Sequence, residues 1–389
     1  MSGNSSNTSK SGLIRIDLNN YVLKGGETIV GTINIYLSSS LPPSTLYFQF
    51  KGKEITQWEE YVSKNSRSAI VKHNKSSSIC KVQYELIKWD HEMHPGGYTI
   101  PFSFQTPTGY PGSFKFVDKK TRANIVYIVS TSLENSQGIL KDKVQIQMLQ
   151  DAITIIPNSN IRKKIRLRSC CCSKGQIGLK ILWPTIKFKN TELIECLLEI
   201  DNTYGLLPVT KVVTRISYTL LLKDKENNAK FITNSLSSKV YNITLGPEEA
   251  LCNEDSLKIS LDLKELDKKF SLLHSVKGEL IECAFVVIAQ VYVEGTCINS
   301  VEAGVSSYFV VEPVVFFQPA HLIPPADWNP KVFEFMNMVY DKKYEVQKNF
   351  EENFAREKGE DNNTCITIAN YQNTEVLDNY GYISSETKR

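Results

Sequence analysis

No long apolar run occurs in this 389-residue chain; none reaches the length that spans a bilayer. The first twelve residues, MSGNSSNTSKSG, lack the apolar stretch of a secretory signal, and Ser2 stands where myristoylation needs glycine. No targeting segment or membrane anchor is therefore expected. Charge of one sign is also scarce, since the formal net charge is only +3 with 22% charged residues. No global field invites nucleic acid, and any electrostatic partner must be met by a local patch. Only five histidines occur, at His73, His91, His94, His274 and His321. His91 and His94 flank a glutamate but stand at i and i+3, and Pro95-Gly96-Gly97 follows at once. A zinc-hydrolase helix needs its histidines at i and i+4, so this stretch predicts a turn and no metal. There is no glycine-rich phosphate loop and no serine or cysteine nucleophile with an identifiable base, which argues against a β-sandwich hydrolase, and neither catalysis, cofactor nor small-molecule substrate is expected. The nine cysteines are odd in number, and Cys170, Cys171 and Cys172 are consecutive, a usage that suits a reducing compartment such as the cytosol. In that setting Asn74-Lys75-Ser76 and Asn242-Ile243-Thr244 are chance sequons.

What the chain does have is alternation. Tyr98, Ile100, Phe102 and Phe104 interleave with Thr99, Pro101, Ser103 and Gln105, the period of a half-buried strand. Pro101 cannot donate to a ladder, so that strand is expected at an edge or with a bulge there. Similar short segments run from Ile14 to Phe317, with glycine, proline and asparagine between them, which is the pattern of antiparallel sandwiches. The length suits two domains, each with its own core. An internal match supports this. Lys24-Gly25-Gly26-Glu27 opens a strand with a small residue at Gly31, and Lys189-Asn190-Thr191-Glu192 opens another, 165 positions on, with Cys196 in the same place. The turn-rich Pro157-Asn158-Ser159-Asn160 between them marks the expected boundary.

At this level several stretches resemble the arrestin-domain proteins: Tyr21-x-x-Gly-Gly-Glu-Thr-Ile-x-Gly, Phe50-Lys-Gly-Lys-Glu with Trp58 beyond it, His94-Pro-Gly-Gly-Tyr-x-Ile-Pro-Phe-Ser-Phe, and Cys170-Cys-Cys-Ser-Lys-Gly-Gln-Ile-Gly-Leu. The resemblance covers about residues 12–320 and is closer to the alpha-arrestin or protist-type branch than to the visual and beta-arrestins. It implies an all-β fold of two tandem arrestin-type immunoglobulin-like sandwiches, at 12–157 and 161–326, after a flexible N-terminus at 1–11. It also implies a non-enzymatic adaptor linking membrane protein cargo to trafficking or signalling machinery, cytoplasmic and peripheral at the plasma membrane or endosomes. An alternative is a structural sorting-coat subunit similar to the arrestin-shaped subunit of retromer. The sequence departs from alpha-arrestins in lacking P-P-x-Y, because Pro42-Pro43 and Pro324-Pro325 are followed by Ser44-Thr45 and Ala326-Asp327. The buried charge cluster of the visual and beta-arrestins has no assigned residues here.

Three segments carry interaction candidates. In Arg162-Lys163-Lys164-Ile165-Arg166-Leu167-Arg168 a strand sets Lys164, Arg166 and Arg168 on one face and Ile165 and Leu167 on the other. The five basic residues are candidates for anionic lipid headgroups or phosphate, while a solvated strand face that deters edge pairing is the plainer reading. The adjoining cysteine triplet reads as buried thiols, with S-acylation beside a basic run as the other possibility and shared zinc disfavoured because neighbours on a strand face opposite ways. Next, Trp328-Asn329-Pro330 looks like a helix start. Val332, Phe335, Met336, Val339 and Tyr340 then fall on one helical face, predicting an amphipathic helix over 327–358 that docks in cis or in a partner groove. Finally, the composition turns polar after Gly359, predicting a flexible tail over 359–389, in which Tyr380-Gly381-Tyr382-Ile383 fits a Y-x-x-hydrophobic sorting signal through Tyr380 and Ile383. The clathrin-box-like Leu197-Leu198-Glu199-Ile200-Asp201 is set aside, since it lies inside the repeated strand.

Overall fold

The alternation read from the sequence becomes strand after strand in a computed structural model, which describes residues 12–64, 67–150, 162–169, 172–189, 192–263, 273–293, 304–315 and 329–345. Among these there is no α-helix, and only two single 3₁₀ turns occur. The first half contains β1 (Gly12–Leu18), β2 (Val22–Lys24), β3 (Thr28–Leu37), β4 (Ser44–Lys64), β5 (Arg67–Trp89), β6 (Gly96–Gln105), β7 (Phe114–Asp118), β8 (Thr121–Asn135) and β9 (Gly138–Leu149). One sheet runs β1-β3-β6, and the sheet facing it runs β2-β9-β8-β4-β5 with β7 beside β8. Ile14, Ile16 and Leu18 point inward while the residues between them are only half-buried, so each sheet contributes one apolar face. Between the sheets Phe48 meets Phe102 and Phe104 with ring centroids 5.2 and 5.3 Å away, and Phe50 lies 5.0 Å from Phe104. Each such ring, fully buried, contributes about 1.5–3 kcal/mol.

The second half comprises β10 (Lys163–Ser169), β11 (Cys172–Leu182), β12 (Lys187–Phe188), β13 (Leu193–Gly205), β14 (Val209–Lys223), β15 (Ala229–Leu245), β16 (Ala250–Leu251), β17 (Leu257–Asp262), β18 (Val276–Lys277), β19 (Ile281–Val293) and β20 (Gly304–Val311). Its pairing repeats that of the first half, with β10 added outside β11 and β16 beside β13. β11-β13-β17 answers β1-β3-β6, and β12-β20-β19-β14-β15 with β18 beside β19 answers β2-β9-β8-β4-β5 with β7. Even the exceptional parallel contact recurs, β2 on β9 and β12 on β20. The second core gathers Tyr218, Phe285 and Phe309. No strand of β1–β9 pairs with one of β10–β20 among the described residues. The expected boundary at Pro157–Ile161 lies outside them.

The repeated Lys-x-x-Glu is the same turn in both halves. Lys24 N–H donates to Glu27 Oε2 at 2.8 Å and Glu27 N–H returns to Lys24 O at 3.1 Å. Lys189 N–H donates to Glu192 Oε2 at 2.9 Å and Glu192 N–H to Lys189 O at 3.1 Å. Gly26, at φ 87°, supplies the left-handed residue the first turn needs. Both turns hand the chain from a short parallel strand into the opposite sheet, at β3 or β13.

The expected helix over 327–358 is overturned where the structure describes it. Residues 331–339 form β21 (Lys331–Val332) and β22 (Met336–Val339), both parallel to β6 at the edge of the first sheet. Met338 is buried, and Phe333, Met336 and Tyr340 pack against the core, whereas Val332, Phe335 and Val339 are exposed. The residues that count are thus Met336, Met338 and Tyr340, at strand spacing. The bare edge of β6 offers a ladder, and pairing there outweighs a helical pattern that short apolar segments satisfy equally well. Trp328 and residues 346–358 lie outside the described residues.

Candidate functional site

The basic segment lies on β10, at an edge of the β10-β11-β13 sheet. Ile165 and Leu167 are buried and Lys164 and Arg166 exposed, as the alternation requires, and Arg162 and Lys163 at the start of the strand are exposed as well. The side chain of Arg168 lies outside the described residues, although its backbone pairs with Ser173 after a bulge. Crowding of like charge is relieved by the third strand of the sheet. Arg162 pairs with Asp201, its guanidinium crossing Gly178, where an added Cβ would stand only 3.2 Å from Arg162 Nε. The Thr203 hydroxyl, bonded to Asp201, holds that carboxyl below its ordinary value against the opposing effect of burial, helped by Arg162 and Lys164. Lys180 and Glu199, 3.7 Å apart, continue the same polar face. Lys163, Lys164 and Arg166 have no carboxylate within ion-pair distance among the described residues, so they are the part of the stripe still able to hold an anion. Of the adjoining cysteines only Cys172 is described, and it is exposed, which departs from the buried-thiol reading for that member. Cys80 and Cys196, by contrast, are sealed in the cores, and burial pushes their thiols up to about 12.

The segment at 332–340 is tied to β6 through backbone and side chains. Phe333 N–H donates to Thr99 O and Tyr340 N–H to Gln105 O, so the odd residues of β6 direct their amide groups toward the added strand. Pro101 is one of these. Having no N–H, it falls where β21 has ended and β22 has not begun. Ser103 Oγ bonds Asn337 Oδ1 at 2.5 Å, and Tyr84 donates to Val339 O at 2.8 Å. Tyr380 and Ile383 lie outside the described residues. His94 is a turn residue, its carbonyl taking the Tyr98 hydroxyl at 2.7 Å. Leu198 and Ile200 are buried in β13, which keeps the 197–201 motif in the sheet.

Sequence reasoning missed a third feature, a polar seam between the halves. Every second residue of β4 faces inward: Leu46, Phe48 and Phe50 over the first core, then Glu54, Thr56 and Trp58 over the second half. Glu54 is 2% exposed and accepts N–H from Glu279 at 2.9 Å and Leu280 at 2.7 Å, at the tip of the β18–β19 hairpin. Burial pushes its carboxyl up, and the hairpin amides pull it back only in part. Gly278 completes the tip, since any Cβ there would collide with the carboxylate. Beside it Thr56 donates to Lys223 O at 2.6 Å, and His73 Nδ1, its ring stacked on Trp58 at 4.9 Å, reaches Asp224 Oδ2 at 2.8 Å. Burial raises the Asp224 carboxyl, but bonds from Asn228 and His73 outweigh it and leave the group below its ordinary value. The sequence carried one signal, a glutamate at an inward position of the row that begins with Leu46, Phe48 and Phe50.

No group of three or more potential metal ligands occurs among the described residues, and no helix among them is long and apolar enough to cross a membrane. Residues 12–162, which hold β1–β9, match the family model of the arrestin (or S-antigen) N-terminal domain.

Proposed function

Through residues 12–162 the chain belongs to the arrestin family, and we propose that it is a non-enzymatic adaptor that links membrane protein cargo to trafficking or signalling machinery from the cytoplasmic face of plasma-membrane or endosomal membranes. The observation that carries this reading is the family match on the first sandwich. The recurrence of the β1–β9 pairing in the second half supports the tandem architecture, with a division near Pro157–Ile161 as part of the proposal. Such a scaffold offers long sheet edges and rigid faces, which suit it to hold partners. Proximity labelling by the full-length protein in its native cell tests the reading. Membrane proteins and coat or sorting proteins are expected among the neighbours, and a set without either would reject it.

The membrane contact is assigned to the basic face of β10. Long lysine and arginine stems support charged tips there, while Ile165 and Leu167 anchor the strand from the other side. Reversing Lys164, Arg166 and Arg168 to glutamate is expected to abolish sedimentation with anionic liposomes without loss of β circular dichroism. Each basic residue near an anionic surface is worth about 1 kcal/mol. Raised salt should weaken wild-type binding in the same way, because the attraction is screened within a Debye length. Equal sedimentation of wild type and triple variant at low salt would leave β10 as a solvated edge.

A further inference from the structure

The polar seam holds a second buried titratable group, and unlike Glu54 it is incompletely partnered. His73 stands on β5 directly opposite Trp58 of β4, on the face of the hairpin that meets the second half. Its side chain is 13% exposed, and a carboxylate faces each ring nitrogen: Asp224 Oδ2 lies 2.8 Å from Nδ1 and Glu60 Oε2 3.4 Å from Nε2. Nε2 is buried and makes no hydrogen bond among the described residues. Asp224 is held in place by the second half, where it closes the β14–β15 turn by accepting the Glu226 and Asn228 N–H groups at 2.8 Å each and the Asn228 side-chain amide at 2.9 Å. Glu60, 61% exposed, keeps its freedom to move. The other charges around the ring are engaged elsewhere or turned away. Lys72 pairs with Glu59 on the opposite face of the hairpin, and Lys230 holds the Thr121 hydroxyl at 3.1 Å. Glu226 takes the Asn228 side chain, Glu279 the Ser77 hydroxyl and Glu54 the β18–β19 amides, while Lys223 offers Thr56 its backbone carbonyl and Lys225 is exposed. Among the described residues neither Asp224 nor Glu60 has a cation other than His73 within ion-pair distance.

We propose that His73 is a proton-operated latch between the two sandwiches, closed when its imidazole is protonated and both nitrogens donate, Nδ1–H to Asp224 and Nε2–H to Glu60. A neutral imidazole carries one N–H. It serves one carboxylate and turns a lone pair toward the other, which leaves a buried polar atom unpaired beside a negative charge. The imidazolium carries two N–H groups and satisfies both carboxylates with charge-assisted bonds. Trp58 acts in the same direction, because its ring, stacked at 4.9 Å, presents its negative face to the cation. The bond to Glu60 exists only in the imidazolium. Its contribution is therefore absent above the range in which imidazole rings titrate and grows as pH falls through that range. Burial works against the charge of Asp224, but the Asn228 and His73 bonds hold its carboxyl below its ordinary value, so it stays ionised throughout. Because His73, Glu60 and Trp58 belong to the β4–β5 hairpin and Asp224 to the β14–β15 turn, mild acidification ties the hairpin to the second half beside the Thr56 and Glu54 contacts. The latch needs neither the β10 face nor the adaptor reading.

The test compares the full chain with His73→Gln and Glu60→Gln by urea unfolding from about pH 8 to about pH 5.5, a span that brackets imidazole titration. Glutamine keeps a donor for Asp224 but takes up no proton. The ratio of unfolding constants, His73→Gln over wild type, is expected to rise about tenfold or more from the alkaline to the acid end, the worth of one added hydrogen bond to a charged group. Glu54 is present in both proteins, so its own titration cancels in the ratio. Glu60→Gln changes an exposed side chain and should match wild type at the alkaline end, yet lose most of the acid gain. If His73→Gln does not fold, the ratio of Glu60→Gln over wild type must show the rise by itself. Hydrogen exchange places the effect: corrected for the intrinsic pH dependence of exchange, the Leu280 amide at the junction should gain protection on acidification in wild type and not in His73→Gln. A ratio that stays flat or falls toward acid, an acid gain kept in full by Glu60→Gln, or Leu280 protection that ignores His73 would each overturn the latch.

Discussion

Replacing Glu54 by alanine should destabilise the folded chain by about 3 kcal/mol or more, as read from urea unfolding. The buried carboxylate is the acceptor for the Glu279 and Leu280 N–H groups at the hairpin tip, where Leu280 is buried and Glu279 exposed. Without it two donors lose their partner, the Leu280 one in the buried part of the seam, at about 1–3 kcal/mol each. Glu54→Gln should cost less, because one oxygen remains to accept. The same pair of proteins reports the charge. Burial raises the Glu54 carboxyl in the folded state above its ordinary 4.5, so the folded chain holds that proton more tightly than the unfolded one. This group's contribution is therefore fully present below pH 4.5 and is lost as pH rises through the raised folded value. Wild-type stability measured relative to Glu54→Gln should fall across that window. A relative stability that climbs instead would mean that the hairpin amides overcompensate burial.

Deleting residues 329–389 should uncover the edge of β6 and lower stability by about 3–5 kcal/mol, the loss expected for one buried and three partly buried large side chains, Met338, Phe333, Met336 and Tyr340. Hydrogen exchange gives the sharper reading. The amides of Ser103 and Gln105 point to β22, so they should be protected in the full chain and exchange rapidly in the truncated one. Those of Phe102 and Phe104 point to β3 and should stay protected in both. A chain ending at Val346, which keeps β22, should match the full-length pattern. Uniform loss of protection across β6 would indicate collapse of the sheet rather than removal of one strand, and unchanged protection at Ser103 would place β22 elsewhere. An uncovered β6 should also promote association, because an unpaired strand edge is a template for another chain.

Much of the architecture was legible in the residues. Alternation gave the strands, and the Lys24–Glu27 and Lys189–Glu192 match gave the duplication, since both the burial period and the turn are local properties that sequence records directly. Pro101 announced an edge or a break because the missing N–H belongs to the residue itself. On β10 the split between Ile165 and Leu167 inside and Lys164 and Arg166 outside followed from the same period.

What the sequence could not decide is where two distant segments meet. Val332, Phe335, Met336, Val339 and Tyr340 satisfy a helical period, and Met336, Met338 and Tyr340 satisfy a strand period. The choice fell to the open ladder of β6, more than 200 residues away in the chain, which no local pattern contains. Glu54 carries the same lesson, because a buried carboxylate is tolerable only beside amides contributed by residues 225 and 226 positions later. Backbone period is written residue by residue, whereas the pairing of edges and the company of a buried charge are properties of the folded chain as a whole, and only tertiary packing set them.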